Sequence, residues 1–201
     1  MSIRIGVLVS GGGTNLQALI DAQASGILHS GRISLVVSNS AGAYALERAK
    51  KAGIETATLL KKQCGSQAAF EEKLAEILDA HQIQVIVLAG FMTILTENFV
   101  KKYPRRILNI HPSLIPSFCG EGYYGLKVHE EALKYGVKVT GATVHFVNEI
   151  PDGGEIIAQK AVEILPGDTP ETLQRRVMEQ AEWKLLPQAA ETVCASMSGG
   201  K

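Results

Sequence analysis

Along the first half of the chain, short apolar runs alternate with segments whose apolar positions recur every three to four residues. Ile3 to Val9 and Val85 to Ala89 are near-continuous apolar runs, the pattern of strands covered on both faces. Ile33 to Val37 and Ile54 to Leu60 read as two further strands. Between them, Asn15 to Ser25 sets Leu16, Leu19 and Ile20 on one helical face and stops at Gly26. Tyr44 to Ala52 is a second helix closed by Gly53. Gln67 to His81 is a third, with Phe70, Leu74, Ile77 and Leu78 in one stripe. Repeated strand–helix units predict an α/β fold: a Rossmann-like, mostly parallel twisted sheet flanked by helices, with right-handed crossovers.

The second half changes character. Ile107 to Ile110 is a short strand. Pro112 to Gly125 holds three Gly, two Pro and two adjacent Tyr and reads as a long loop, a length that compact domains keep for function or motion. Leu126 to Tyr135 is a helix. Val137 to Val147 and Glu155 to Ile164 are two strands joined through Asn148 to Gly154, where Asp152-Gly153-Gly154 is strong turn chemistry. They predict an antiparallel C-terminal extension of the sheet. Thr169 as N-cap and Pro170 at the first helical position open a final long helix, and the chain beyond Val193 is expected to fray.

Composition narrows the picture. The apolar fraction of 46% suffices for a sizeable core, and 20 basic residues balance 20 acidic ones. A dedicated nucleic-acid binder usually carries a basic excess, so no nucleic-acid partner is expected. Cys64, Cys119 and Cys194 are scattered, with no C-x-x-C pair, which argues against a disulfide framework or zinc site and for a reducing compartment. The first apolar run is too short for a signal peptide or membrane span, so a cytoplasmic protein is expected. No histidine pair has metal-ligand spacing, and no metal is expected.

Ligands on such sheets sit at the carboxyl ends of the strands. After the first strand comes Ser10-Gly11-Gly12-Gly13-Thr14-Asn15, a glycine loop opening a helix and suited to an anion. A dinucleotide fingerprint needs another Gly at position 16, which is Leu, and an acid after the second strand, which ends Ser38-Asn39-Ser40. A Walker-type Gly-Lys-Ser/Thr is also missing, so a single phosphate fits better. Asn109 and His111, two apart on a strand, point to one face, where an amide and an imidazole can address one reacting atom. Asp152 lies on a turn able to fold over that strand end and raise the imidazole pKa. His145 reads as a core or site-wall histidine.

Residues 10–17 (Ser-Gly-Gly-Gly-Thr-Asn-Leu-Gln), 88–92 (Leu-Ala-Gly-Phe-Met), 109–116 (Asn-Ile-His-Pro-Ser-Leu-Ile-Pro), 141–147 (Gly-Ala-Thr-Val-His-Phe-Val) and 152–154 (Asp-Gly-Gly) occur in an order that resembles the folate-dependent formyltransferases. The Ser-Gly-x-Gly-Thr/Ser-Asn loop points to the purine branch of that family. The resemblance implies a single formyltransferase domain over 1–201, with 1–105 as the phosphate-binding half and 106–193 as the catalytic and folate-binding half. It implies transfer of a formyl group from 10-formyltetrahydrofolate to the amine of glycinamide ribonucleotide, by a monomer or homodimer. It makes Asn109, His111 and Asp152 catalytic. It assigns the substrate to Gly13, Thr14, Asn15, Glu179 and Glu182. It assigns the folate to Met92, Thr93, Ile94, Leu95 and Asn109, with Asn148, Glu149, Ile150, Pro151 and Asp152.

The chain departs from the family pattern at Gln67 and Thr93, both often Arg, and in the loop Phe118 to Tyr124. The stretch before Glu182 also runs one residue longer. The folate tail is therefore expected to depend little on Gln67 and Thr93. Two sister reactions on the same fold bring extra domains, a regulatory one before the first strand or a basic tRNA-binding one after the last helix; neither is expected here. A non-catalytic nucleotide-binding module would use the glycine loop but leave Asn109, His111 and Asp152 without a purpose.

Overall fold

The computed structural model describes residues 2–199. Its strands are β1 (Ile3–Val9), β2 (Gly31–Ser38), β3 (Glu55–Thr58), β4 (Val85–Leu88), β5 (Ile107–His111), β6 (Val139–Phe146) and β7 (Ile156–Glu163). They form one sheet in the order β3-β2-β1-β4-β5-β6-β7. The first five run parallel, and β6 and β7 are antiparallel to their neighbours. The mixed sheet with its antiparallel extension is the one anticipated from the chain pattern.

Side-chain alternation explains why the central strands are apolar throughout. Ile5, Val7, Val9, Val85 and Val87 enter one core, while Leu8, Ile86 and Leu88 enter another on the opposite face. The first core is covered by α1 (Thr14–Ser25), α2 (Tyr44–Lys51), α6 (Pro170–Val177) and α7 (Trp183–Ser198). The second is covered by α3 (Gln67–Ala80) and the short α4 (Glu97–Val100). Between α4 and α6 in sequence, α5 (Leu126–Tyr135) packs against α6.

Several boundaries differ from the expectation. A 3₁₀ turn at Lys61–Gln63 and the four-residue α4 are too short to show a period in sequence. The final helix is interrupted by a π turn at Met178–Glu182. Its far end does not fray at residue 194: Cys194 is buried and α7 continues to Ser198, while residues 200 and 201 lie outside the described residues. The Asp-Gly-Gly turn owes its glycines to close packing. A Cβ on Gly154 would fall 1.7 Å from the Phe146 carbonyl oxygen, so nothing larger lets the turn fold back on β6.

The start of α6 is fixed by Asp168. Its carboxylate accepts from the Leu165 N–H at 2.8 Å, the Thr172 hydroxyl at 3.1 Å and the Arg176 guanidinium at 2.6 Å. The Arg176 hydrogen bond outweighs burial and holds the Asp168 pKa at about 2. A carboxyl depressed in the fold stabilises above its unfolded pKa, about 3.9, and that contribution is lost as pH falls through the folded value. Asp168→Asn should therefore lower the urea midpoint at pH 7. The gap to the parent protein should narrow as pH falls from about 4 toward 2. A gap independent of pH over that range would separate Asp168 from α6 stability.

Candidate active site

In this strand order β1 is flanked by β2 on one side and β4 on the other, so the chain switches direction between β1 and β4. That switch point opens a crevice at the carboxyl ends of the strands. The loops after β1 and β4 are tied across it. The Ser10 N–H donates to the Gly90 carbonyl at 3.1 Å, and the Met92 N–H donates to the Ser10 hydroxyl at 2.8 Å. Sequence reading gave Ser10 no such role.

Gly13 takes a φ of +73° as the N-cap of α1, and a Cβ there would lie 2.6 Å from the Cβ of Ala45. The third glycine is thus required by the approach of α2, whereas Gly11 and Gly12 face open space. No side chain caps α1, so the N–H groups of its first turn are left for another acceptor. By contrast α6 carries a full capping box. Thr14 is exposed on that first turn and Asn15 turns inward.

The Asn15 amide donates to the Glu182 carboxylate at 2.7 Å, while its own carbonyl oxygen is buried without a partner. The π turn brings Glu182 inward to make this contact. Burial raises the Glu182 pKa, with the Asn15 hydrogen bond opposing. Glu179 points elsewhere: it accepts from Arg175 at 2.8 Å on the exposed side of the helix. The structure therefore joins Glu182 to the glycine loop and leaves Glu179 outside that cluster.

Antiparallel pairing of β5 with β6 sets Asn109 opposite His145. Asp152, with a φ of +55°, folds over both strands. Its Oδ1 lies 3.4 Å from the Asn109 amide nitrogen and 3.5 Å from His145 Nε2. Its Oδ2 accepts from the Gly120 N–H at 2.9 Å and lies 3.4 Å from His111 Nδ1. His111 Nε2 is 2.9 Å from the Phe118 carbonyl oxygen, an acceptor, so that nitrogen carries a proton. His145 Nδ1 likewise donates to the Phe146 carbonyl at 2.8 Å, leaving Nε2 to accept from Asn109 at 3.2 Å.

Asn109, His111 and Asp152 thus meet as the sequence suggested, and His145, read as a core or site-wall histidine, is buried against Asn109 and Asp152. The segment Phe118 to Gly120 was missed, since a carbonyl and an N–H leave no mark in side-chain pattern. Burial would raise the Asp152 pKa, but the adjacent imidazoles of His145 and His111 and the Gly120 N–H together hold it below the usual carboxylate range. For His111, burial wins and lowers the pKa, against the upward pull of Asp152 and the Phe118 carbonyl. The expected sign of the Asp152 effect holds, but the net shift is downward.

Met92 and Ile94 leave the β4 loop 57% and 67% exposed, and Ile150 on the turn after β6 is 59% exposed, so three large apolar side chains are presented to solvent. Leu95 is buried beneath them. Thr93 accepts from the Asn39 amide at 2.9 Å. Gln67 donates to the Ile94 carbonyl at 3.1 Å and to the buried Glu71 at 2.6 Å. Glu71 also accepts from the Thr96 N–H at 2.7 Å. Gln67 therefore ties α3 to this loop. On the other rim, the Asn148 side-chain Oδ1 accepts from the Ile150 N–H at 3.0 Å; Glu149 and Pro151 are exposed beside it. A separate groove of about 530 Å³ between α1 and α7 is bordered by Thr14 and Trp183 and by none of Asn109, His111 or Asp152.

A strand-end crevice with an uncapped helix start and an Asn–His–Asp cluster defines a group-transfer enzyme fold, and the comparisons agree. The chain belongs to the formyl transferase family, whose model matches residues 3–190. It is 43% identical over 184 residues to the phosphoribosylglycinamide formyltransferase of Haemophilus influenzae, covering 92% of this chain and 84% of that protein. It is 46% identical over 194 residues to the trifunctional purine biosynthetic protein adenosine-3 of Bos taurus. That match covers 96% of this chain and spans only 18% of the longer protein. The crystal structure of glycinamide ribonucleotide transformylase 1 from Symbiobacterium toebii superposes with a TM-score of 0.91 at 44% identity, covering 97% of this chain and 89% of that one.

The Asn15–Glu182 pair gives a test independent of turnover. A carboxyl whose folded pKa is raised destabilises the fold as pH climbs from its unfolded value, about 4.3, through the folded one. Glu182→Gln keeps an acceptor for Asn15 and removes that pH-dependent loss. Glu182→Ala strands the Asn15 amide and should cost about 1–3 kcal/mol. Denaturant titrations from pH 4 to 8 separate the two; identical pH slopes for parent and Glu182→Gln would refute the buried charge.

Proposed function

We propose that this protein transfers the formyl group of 10-formyltetrahydrofolate to the amine of glycinamide ribonucleotide, in purine biosynthesis. The observation that carries the reading is the convergence of Asn109, His111 and Asp152 at the carboxyl end of the sheet, the end that also carries the uncapped glycine loop. The free N–H groups at Gly13, Thr14 and Asn15 take the substrate phosphate. Glu182 and the unpartnered Asn15 carbonyl oxygen receive the donors of the glycinamide part, with Glu179 a more distant contributor. The exposed apolar side chains of Met92 and Ile94, with Thr93 and Leu95 behind them, form one wall for a flat heterocycle. Asn148, Glu149, Ile150 and Pro151 form the other.

The substrate amine attacks the formyl carbon, a C–N bond forms, and negative charge develops on the formyl oxygen. The Asn109 amide, held at 3.2 Å from His145 Nε2 and at the longer 3.4 Å from Asp152 Oδ1, turns an N–H to that oxygen and stabilises it. Neutral His111 keeps its proton on Nε2 against Phe118, which leaves the Nδ1 lone pair to take a proton from the attacking nitrogen. Asp152 beside Nδ1 stabilises the imidazolium so formed. Collapse breaks the bond from carbon to the folate nitrogen, and His111 returns the proton there. The products are the formamide and tetrahydrofolate, with protons balanced. The lowered His111 pKa suits a group that must be an unprotonated base when the amine arrives.

The reading places the enzyme in the cytoplasm, working on two small molecules as a monomer or homodimer and without a metal. Among the described residues no helix is long and apolar enough to cross a membrane.

An absorbance assay of folate deformylation tests the proposal, with glycinamide ribonucleotide, with water alone, and with charged initiator tRNA as acceptors. Tetrahydrofolate should appear only with the ribonucleotide. Release in water alone would make the protein a hydrolase, and release with tRNA would assign the sister reaction. His111→Ala should stay folded and lose kcat by about 10²–10⁴-fold. Near-normal turnover in that variant would remove His111 from the chemistry.

A further inference from the structure

The loop between β5 and α5 contains a feature that the reaction as described leaves unexplained. Phe118 adopts a φ of +48°, a conformation that suits glycine and is a clear outlier for a bulky residue. Its carbonyl is the one that holds His111 Nε2. Two residues on, the Gly120 N–H holds Asp152. The strap thus grips both members of the catalytic pair through its backbone, and something must hold the strap in its unfavourable turn.

Its rings are placed to do so. Phe118 meets Tyr135 edge-on, with centroids 5.9 Å apart and planes at 75°, and meets Tyr123 at 6.4 Å and 58°. Both separations fall in the range where tilted aromatic pairs attract. Tyr135 is the last residue of α5 and is 81% exposed, so its contact with Phe118 is made at the surface. On the inner side the strap is pinned by the buried Ser113, whose hydroxyl donates to the Ser117 carbonyl at 2.6 Å.

We propose that the Phe118–Tyr135–Tyr123 cluster is a positioning device. It holds the Phe118 carbonyl on His111 Nε2, which fixes the tautomer and makes Nδ1, beside Asp152, the nitrogen that exchanges protons. A glycine at 118 would take the backbone turn without strain, yet the chain carries an aromatic residue there. The ring contacts account for that choice. Which ring nitrogen is protonated is set by the hydrogen bond the other end makes, and here that bond comes from a carbonyl steered by a side chain 5.9 Å from its partner ring. The inference rests on reading His111 as the proton carrier.

The test is direct observation of the tautomer. Protein with ¹⁵N-labelled imidazoles is examined by long-range ¹H–¹⁵N correlation, and His111→Gln identifies the His111 signals. The parent should show the Nε2–H form. Phe118→Gly, which relieves the backbone but removes the ring, and Tyr135→Ala, which removes only the surface ring, should both give mixed tautomers. Each should lower kcat by about tenfold or more, part of the roughly 10²–10⁴-fold that acid–base catalysis contributes, with KM for both substrates little changed. Tyr135→Phe, which keeps the ring, should restore both the tautomer and kcat. If Phe118→Gly retains the Nε2–H form and full kcat, the backbone turn alone positions His111 and the proposal fails. If KM rises in place of the fall in kcat, the cluster is a binding wall and the proposal also fails. A parent protein that forms no product would refute the functional reading, whereas the tautomer spectra judge the aromatic anchor by themselves.

Discussion

The carboxylate of Asp152 is where four separate stretches of this chain are made to agree. Asn109 and His111 from β5, His145 from β6 and the Gly120 N–H from the loop before α5 all lie within 3.5 Å of its two oxygens. A buried carboxylate survives only when its lone pairs are filled, since burial by itself favours the neutral form. Here burial and the surrounding polar groups compete, and the polar groups prevail. Asn109, His111 and His145 are set by the pairing of β5 with β6, whereas the Gly120 loop has no regular structure and the turn bearing Asp152 runs through a left-handed residue. The carboxylate and the Gly120 loop therefore order one another, and the geometry of the cluster depends on that contact as well as on the sheet.

A second buried carboxylate behaves in the opposite way. Glu182 has one donor, Asn15, and burial raises its pKa. The Asn15 carbonyl oxygen beside it also lacks a partner. Two under-satisfied polar groups at the end of a glycine loop are costly in an empty site and valuable once a ligand supplies donors, because the missing hydrogen bonds are then completed in a dry setting. The two carboxylates thus differ in how fully the protein satisfies them, and on the proposed function the first belongs with the proton chemistry and the second with the substrate.

Much of this was legible before any coordinates. The central strands declared themselves because residues on both faces are buried, so Val85 to Leu88 is unbroken in its apolar run and Ile3 to Val9 nearly so. Asn109 and His111 were recognisable because strand periodicity puts residues two apart on one face, and the ordered motifs linked them to Asp152. What escaped notice was made of backbone or of very short elements. The Phe118 carbonyl and the Gly120 N–H are groups every residue possesses, so no pattern marks them. The four-residue α4 is below one helical repeat of useful periodicity. Gln67 was legible only as a departure from the family pattern; its bond to the Ile94 carbonyl, 27 residues away, depends on how α3 packs beside the β4 loop. Gly13 was understood as making room for an anion, but its Cβ space is taken by Ala45. The same residue type serves both purposes, and only tertiary contact separates them.

The π turn at Met178–Glu182 has a consequence for how this fold tolerates change in length. One residue added to a continuous α-helix rotates everything downstream by about 100° and advances it by about 1.5 Å. Such a shift would swing Leu186, Ala190 and Val193 away from the sheet they now cover. A widened turn absorbs the added residue within a single loop of helix, so the two flanking helices keep their buried faces. The bulge acts as a phase corrector. It lets the helix vary by a residue in the stretch just before Glu182 while the packed face beyond it stays in register.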